Sequence, residues 1–239
     1  MTRACALSAV VAPLMVAAGC GSQEGAASGQ PELPPVGPVV AAAPATTGPQ
    51  TDSARLRERL LSDADLPAGF AALAPPADAG SGATGASPTN PAECGKVLAP
   101  LGAQRPGALA QASTQYAGPN FSSIDIDAAS YPADRVAGAF SDVQEILRRC
   151  AHYSSAEGSD IPMDYRIGGL VQPPVGDAAA SFQVRTTSDD LTLRSSTAIV
   201  QVGSTLVQVA ITAPEAVDPA VLSALTAAQV RRLQGVAGP

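Results

Sequence analysis

The chain has 239 residues, 15% of them charged, a formal net charge of −7, no Trp and one lysine, Lys96. Its Arg residues are scattered rather than clustered, which disfavours nucleic-acid binding, and its acidity disfavours attraction to anionic lipid head groups. With only 3% aromatic residues, it has little from which to build a stacking platform for sugars or bases.

The chain opens with an apolar run. Arg3 is the only charge before Cys20, and Ala4–Ala18 is apolar apart from Ser8, with Pro13 interrupting it. That run is as long as a signal-peptide core and too short to cross a bilayer core of roughly 30 Å comfortably. It leads through Ala17-Ala18-Gly19 directly into Cys20. The arrangement resembles a bacterial lipobox, in which the cysteine thiol receives a diacylglycerol and becomes the first residue of the mature chain. The usual Leu three places before the cysteine is Ala17 here; a plain secretory leader with a nearby Cys is the alternative. Residues 1–19 are thus expected to be a lipoprotein signal peptide and Cys20 the lipidation site. Residues 20–50 are rich in Gly, Pro, Ala and Ser without helical or strand period. They predict a disordered linker, because too little apolar surface is available to offset the entropy of ordering.

Residues 51–239 are long enough for one domain with a proper core. Thr51, Asp52 or Ser53 can cap a helix whose apolar face holds Leu56, Leu60 and Leu61, and Pro67 and Gly69 end it. Residues 71–91 are low in complexity and predict a surface loop. "PAECGKVLAPLGAQ" predicts a short helix with Cys94, Val97, Leu98 and Leu101 on one face. Two strands follow, the second with Ile124 and Ile126 alternating with Asp125 and Asp127. The strongest helix starts at Pro132. Val136, Phe140, Val143, Leu147 and Cys150 recur along it at spacings of four, three, four and three, which puts Cys150 on the buried side of its end. Four further strand candidates follow, the last two joined by a turn at Gly203. A closing helix is expected from Asp218 to about Val236. Consecutive strands with short turns imply an antiparallel sheet with helices packed on it, an α+β fold.

Of four cysteines, Cys5 leaves with the leader and Cys20 takes lipid. Cys94 and Cys150 remain, and in an exported domain two cysteines read as one disulfide, two buried thiols being the alternative. No cysteine pair has chelating spacing, and His152 is the sole histidine, so neither a metal site nor a cofactor is expected. A Ser-His-Asp site needs His152, yet no G-x-S-x-G elbow exists; the residue reads as a polar helix-end group. Asp125 and Asp127 read as a solvated strand face rather than a carboxylate pair, and Asp189 and Asp190 as turn residues. No catalytic residue is assigned.

"LSDADLPAGF", the "PAEC" segment, the long amphipathic helix ending in Cys, "QPPVGDAAASF" and the hairpin "V-x-V-G-S-T-L-V-x-V" form an ordered set. Together they resemble the extracytoplasmic domain of mycobacterial and related lipoproteins, which is similar to the sensor domain outside the membrane in PknH-type serine/threonine kinases. The chain carries no kinase motif. The resemblance implies an antiparallel sheet with helices, a ligand cleft and a sensor-like domain over 51–239. The kinase sensors are associated with two disulfides, whereas the mature domain here has cysteines for one. The expected function is a membrane-anchored extracytoplasmic lipoprotein, non-catalytic, binding a small molecule, lipid or envelope protein. An envelope lipid carrier and a hydrolase with an unrecognised site are the alternatives.

Overall fold

The computed structural model describes residues 31–73, 88–157, 159, 161–189 and 191–236. Its strands are β1 (Ala71–Ala72), β2 (Thr89–Asn90), β3 (Ala110–Ala117), β4 (Ser123–Ser130), β5 (His152–Ser155), β6 (Asp164–Gly169), β7 (Ala178–Ser188), β8 (Leu191–Val202) and β9 (Thr205–Ala213). The α-helices are α1 (Ser53–Glu58), α2 (Leu101–Gln104), α3 (Val136–Arg149) and α4 (Pro219–Leu233). All strand pairs are antiparallel, in one sheet of order β1-β3-β4-β9-β8-β7-β6-β5-β2. This is the α+β arrangement expected from the sequence.

Two-residue periodicity decides which side chains each sheet face receives. Ile124, Ile126, Val207, Val209 and Ile211 point to one face, where Leu56, Leu60 and Leu61 of the α1 region and Leu222 and Leu225 of α4 cover them. Phe182, Val184, Ile199 and Leu206 point to the other, against Phe140, Val143 and Leu147 of α3. Burying each such side chain contributes about 1.5–3 kcal/mol relative to exposure. The 4-3-4-3 stripe of α3 is therefore what holds that helix down, and all five of its members are buried. Asp52 caps α1 by accepting from the amides of Ala54 and Arg55, and Asp218 caps α4 by accepting from Ala220. Gln229 of α4, wholly buried, accepts from the Leu61 amide and donates to the Arg59 carbonyl, tying α1 to α4.

Cys94 and Cys150 form a disulfide. It joins the end of α3 to a 3-10 segment, Ala92–Leu98, with both cysteines at most 1% exposed. The sequence predicted one helix here. Pro100 holds Ala99 extended (ψ 156°), so the region divides into the 3-10 segment and the single turn of α2. Leu98 leaves the shared face and is 52% exposed. His152–Ser155, read as the tail of the long helix, is instead β5, pairing with both β6 and β2. Within the low-complexity stretch 71–91, β1 and β2 form short strands at the two edges of the sheet; residues 74–87 lie outside the described residues.

The largest departure lies before α1. Residues from Leu33 onward belong to one compact unit, so residues 33–50 are not the free linker that their composition predicted. They form no helix or strand. They run as a strap across the α3 face, with Val36, Ala42 and Ala45 packed on its apolar cluster.

Candidate functional site

The strap is held by its backbone. Gln144 of α3 is 4% exposed and grips Val40 from both sides: its Oε1 accepts from the Val40 amide (2.7 Å) and its Nε2 donates to the Val40 carbonyl (3.0 Å). Gln201 of β8, wholly buried, does the same to Ala43 at 3.0 and 2.8 Å. Each glutamine offers one acceptor and one donor in the spacing of a β-ladder, so a segment with no strand partner has its buried polar groups satisfied. Ser130 Oγ accepts from the Gln50 amide, Ser204 Oγ donates to the Thr47 carbonyl, and Arg148 donates to the Gly37 carbonyl. Three glycines make room, among them Gly169, where an added Cβ would fall 2.5 Å from the Pro35 carbonyl oxygen. A Cβ on Gly168 would fall 2.5 Å from the Leu33 Cβ, and one on Gly203, which turns the β8–β9 hairpin at φ +57°, would strike the Thr47 side chain. Larger residues at any of these places would lift the strap.

Between the strap, α3, β7 and the loop 170–174 lies a groove of about 330 Å³. Val36, Val40, Leu147, Leu170 and Phe182 give it apolar walls; Gln144, Arg148, Gln172 and Ser181 supply its polar groups. Arg148 is the one ionisable side chain in the lining. An apolar slot with a few convergent polar groups, at the lower end of the ~300–1,000 Å³ of small-molecule sites, can hold a compact ligand. The lining contains no nucleophile paired with a base. Residues 33–40, which form this wall, carry the composition of a linker and no local signal of docking.

The singled-out residues lie elsewhere. His152 stands on β5, with Nε2 against Asp164 Oδ2, away from any Ser in a triad geometry among the hydrogen bonds of the described residues. Asp125 and Asp127 do not form the solvated face expected of them. They project to the α3 side of the sheet and are half-buried. Asp125 accepts from Gln115 and from Ser123. Asp127 accepts from the Leu101 amide at 3.0 Å, and desolvation raises its pKa to about 7 against the lowering effect of that bond. Asp189 occupies the β7–β8 turn at φ 48°; Asp190 lies outside the described residues, as do Cys20 and the leader. Among the described residues no group of three or more His, Cys, Asp and Glu could hold a metal ion, and no helix is long and apolar enough to cross a membrane.

No protein-family model matches the chain, and no curated protein matches it. Solved structures do. An uncharacterised Mycobacterium smegmatis protein, an Rv0999 ortholog, aligns at a TM-score of 0.35 with 14% identity, over 69% of this chain and 85% of the other, which is too distant to carry an argument. The extracellular domain of PknH from Mycobacterium tuberculosis aligns at a TM-score of 0.59 with 14% identity, over 77% of this chain and 97% of that domain. The chain therefore has the fold of the PknH extracellular domain, as the ordered motifs of the sequence implied.

Proposed function

We propose that the chain is a lipid-anchored extracytoplasmic lipoprotein whose domain is a non-catalytic, sensor-like binding module, with a small, largely apolar ligand seated in the groove beside the strap. The observation that carries the reading is the groove itself: apolar walls, one cation at Arg148, and a wall formed by the segment that leads back toward Cys20. The shared fold adds support, since the neighbour is the extracellular part of a kinase. Cys20 would carry diacylglycerol, and an extended chain from Cys20 to Leu33 reaches at most about 45 Å, which keeps the domain near the membrane surface. Two or three acyl chains make such an anchor stable, where one binds marginally. The size of the groove favours a compact ligand over the two chains that an envelope lipid carrier has to enclose.

Two variants test the reading. Cys20→Ala is expected to leave the precursor unprocessed or to release the protein from the membrane; normal processing with membrane retention contradicts the anchor. Ala180→Phe narrows the groove from β7. The full chain is expected to gain thermal stability on addition of a small-molecule envelope extract, and this variant is not. An equal gain in both places the ligand elsewhere.

A further inference from the structure

The strand register brings together three arginines that are far apart in sequence. Arg166 of β6 stands opposite Arg185 of β7, and Arg185 stands opposite Arg194 of β8. His152 of β5 stands opposite Arg166. Directly opposed residues share a sheet face, so four basic residues form one row across four adjacent strands, on the face that also carries α4. Strands lie about 4.8 Å apart, so the three arginines span about 10 Å.

This row is costly. Like charges placed directly opposite destabilise a sheet, and a buried cation needs a partner. Among the described residues one carboxylate pairs with the row: Asp164 accepts from Arg166 Nε at 3.0 Å and lies against His152 Nε2. Arg194 spends Nη1 on the Pro214 carbonyl at 3.0 Å. Arg185, between its two like-charged neighbours, is 8% exposed, and its Nε has no hydrogen-bond partner among the described residues. Burial, with Arg194 and Arg166 beside it, lowers its pKa, although a guanidinium stays charged regardless.

Arg185, buried and with its Nε unpartnered, stands between two more exposed guanidinium groups, a row that fits what a tetrahedral oxyanion requires: planar forks that bind two oxygens each. We propose that Arg166, Arg185 and Arg194 form a binding site for a phosphate-type oxyanion, with Arg185 as its buried anchor. A span of about 10 Å suits a diphosphate or a phosphodiester with its flanking groups better than a single phosphate ion. The site is a local exception on an acidic chain, so the specificity comes from the forks and not from the overall field. It is separate from the apolar groove, none of whose lining residues belongs to the row.

A phosphoryl group can come free in solution or as part of a lipid headgroup, and two probes separate these sources. The full chain in detergent is titrated calorimetrically with inorganic pyrophosphate and with glycerophosphoglycerol, the deacylated headgroup of phosphatidylglycerol. The site predicts binding of at least one probe, weakened tenfold or more by Arg185→Gln and unchanged by Arg57→Gln on α1; the tighter probe names the source. A second readout distinguishes a receptor from a structural residue. Without anion, Arg185→Gln melts no lower than the parent, because the substitution relieves repulsion and desolvation. With anion, only the parent melts higher. The proposal is overturned if neither probe binds at millimolar concentration, if Arg185→Gln binds as the parent does, or if Arg185→Gln melts lower in the absence of anion.

Discussion

Replacing Gln201 by Leu tests how the strap is held. Leu keeps the buried volume and discards the amide. The substitution removes three hydrogen bonds: from the Ala43 amide at 3.0 Å, to the Ala43 carbonyl at 2.8 Å and to the Gly203 carbonyl at 3.1 Å. If the strap stays in place, its polar groups at Ala43 are left without partners at a cost of about 1–3 kcal/mol each. The strap can escape part of that cost by lifting into water, so its docking should weaken by about 2–4 kcal/mol, roughly 30- to 1,000-fold in its closing equilibrium. Amide hydrogen exchange reads this locally. In the parent, Val40 and Ala43 should be protected although they belong to no helix or strand. In Gln201→Leu, Ala43 should lose protection by that factor while Val209 in the sheet keeps its own. Exchange at Ala43 that is already as fast as in an unstructured peptide in the parent, or that does not change in the variant, refutes the clamp.

Cys94→Ser and Cys150→Ser should each destabilise the domain by about 2–5 kcal/mol in denaturant titration, with no further loss in the double variant. For Asp127, the folded pKa of about 7 lies above the unfolded value near 3.9. Folding therefore favours the protonated form, and its contribution is fully present at acidic pH and is lost as pH rises through about 7. Asp127→Asn keeps an acceptor for the Leu101 amide. It should flatten this pH dependence between about pH 4 and 8 and be more stable than the parent at pH 8, by at most about 4 kcal/mol; an unchanged pH profile of the melting temperature counts against the assignment. Asn120 and Phe121 both turn the β3–β4 hairpin at positive φ, 54° and 58°, and Phe121 is 92% exposed. Phe121→Gly should thus stabilise the domain by about 1 kcal/mol, because glycine removes the Cβ penalty and no packing is lost; a lower melting temperature contradicts this.

Local pattern made much of the fold legible. The stripe of α3 and the alternation of Val207, Val209 and Ile211 announce themselves within a dozen residues, because burial on one side imposes its period directly. Asp52 is legible as one of three candidate caps, because a short side-chain acceptor next to the free amides of a first helical turn is also a local signal. The strap is not local. Its composition of Pro, Ala and Val correctly indicates that it forms no helix or ladder, but Val40 and Ala43 are held by glutamines 104 and 158 positions away. A single buried glutamine gives no sequence signal. The groove was invisible for that reason, since the strap makes one of its walls. β5 was missed because four residues directly after a helix carry too little alternation to outvote the helical period. Asp127 was misread because its alternation with isoleucine looks the same whether the second face meets water or, as here, the turn of α2. The arginine row needs the register of β6, β7 and β8, which sequence spacing alone does not supply.

Native mass spectrometry of the full chain, purified from its own membrane, tests the central claim most directly. The account predicts a mature N-terminus at Cys20 carrying a diacylglycerol mass, and a non-covalent small ligand that is present in the parent and absent from Ala180→Phe. An unmodified Cys20 in membrane-extracted protein, or a bound mass that Ala180→Phe retains in full, would contradict it.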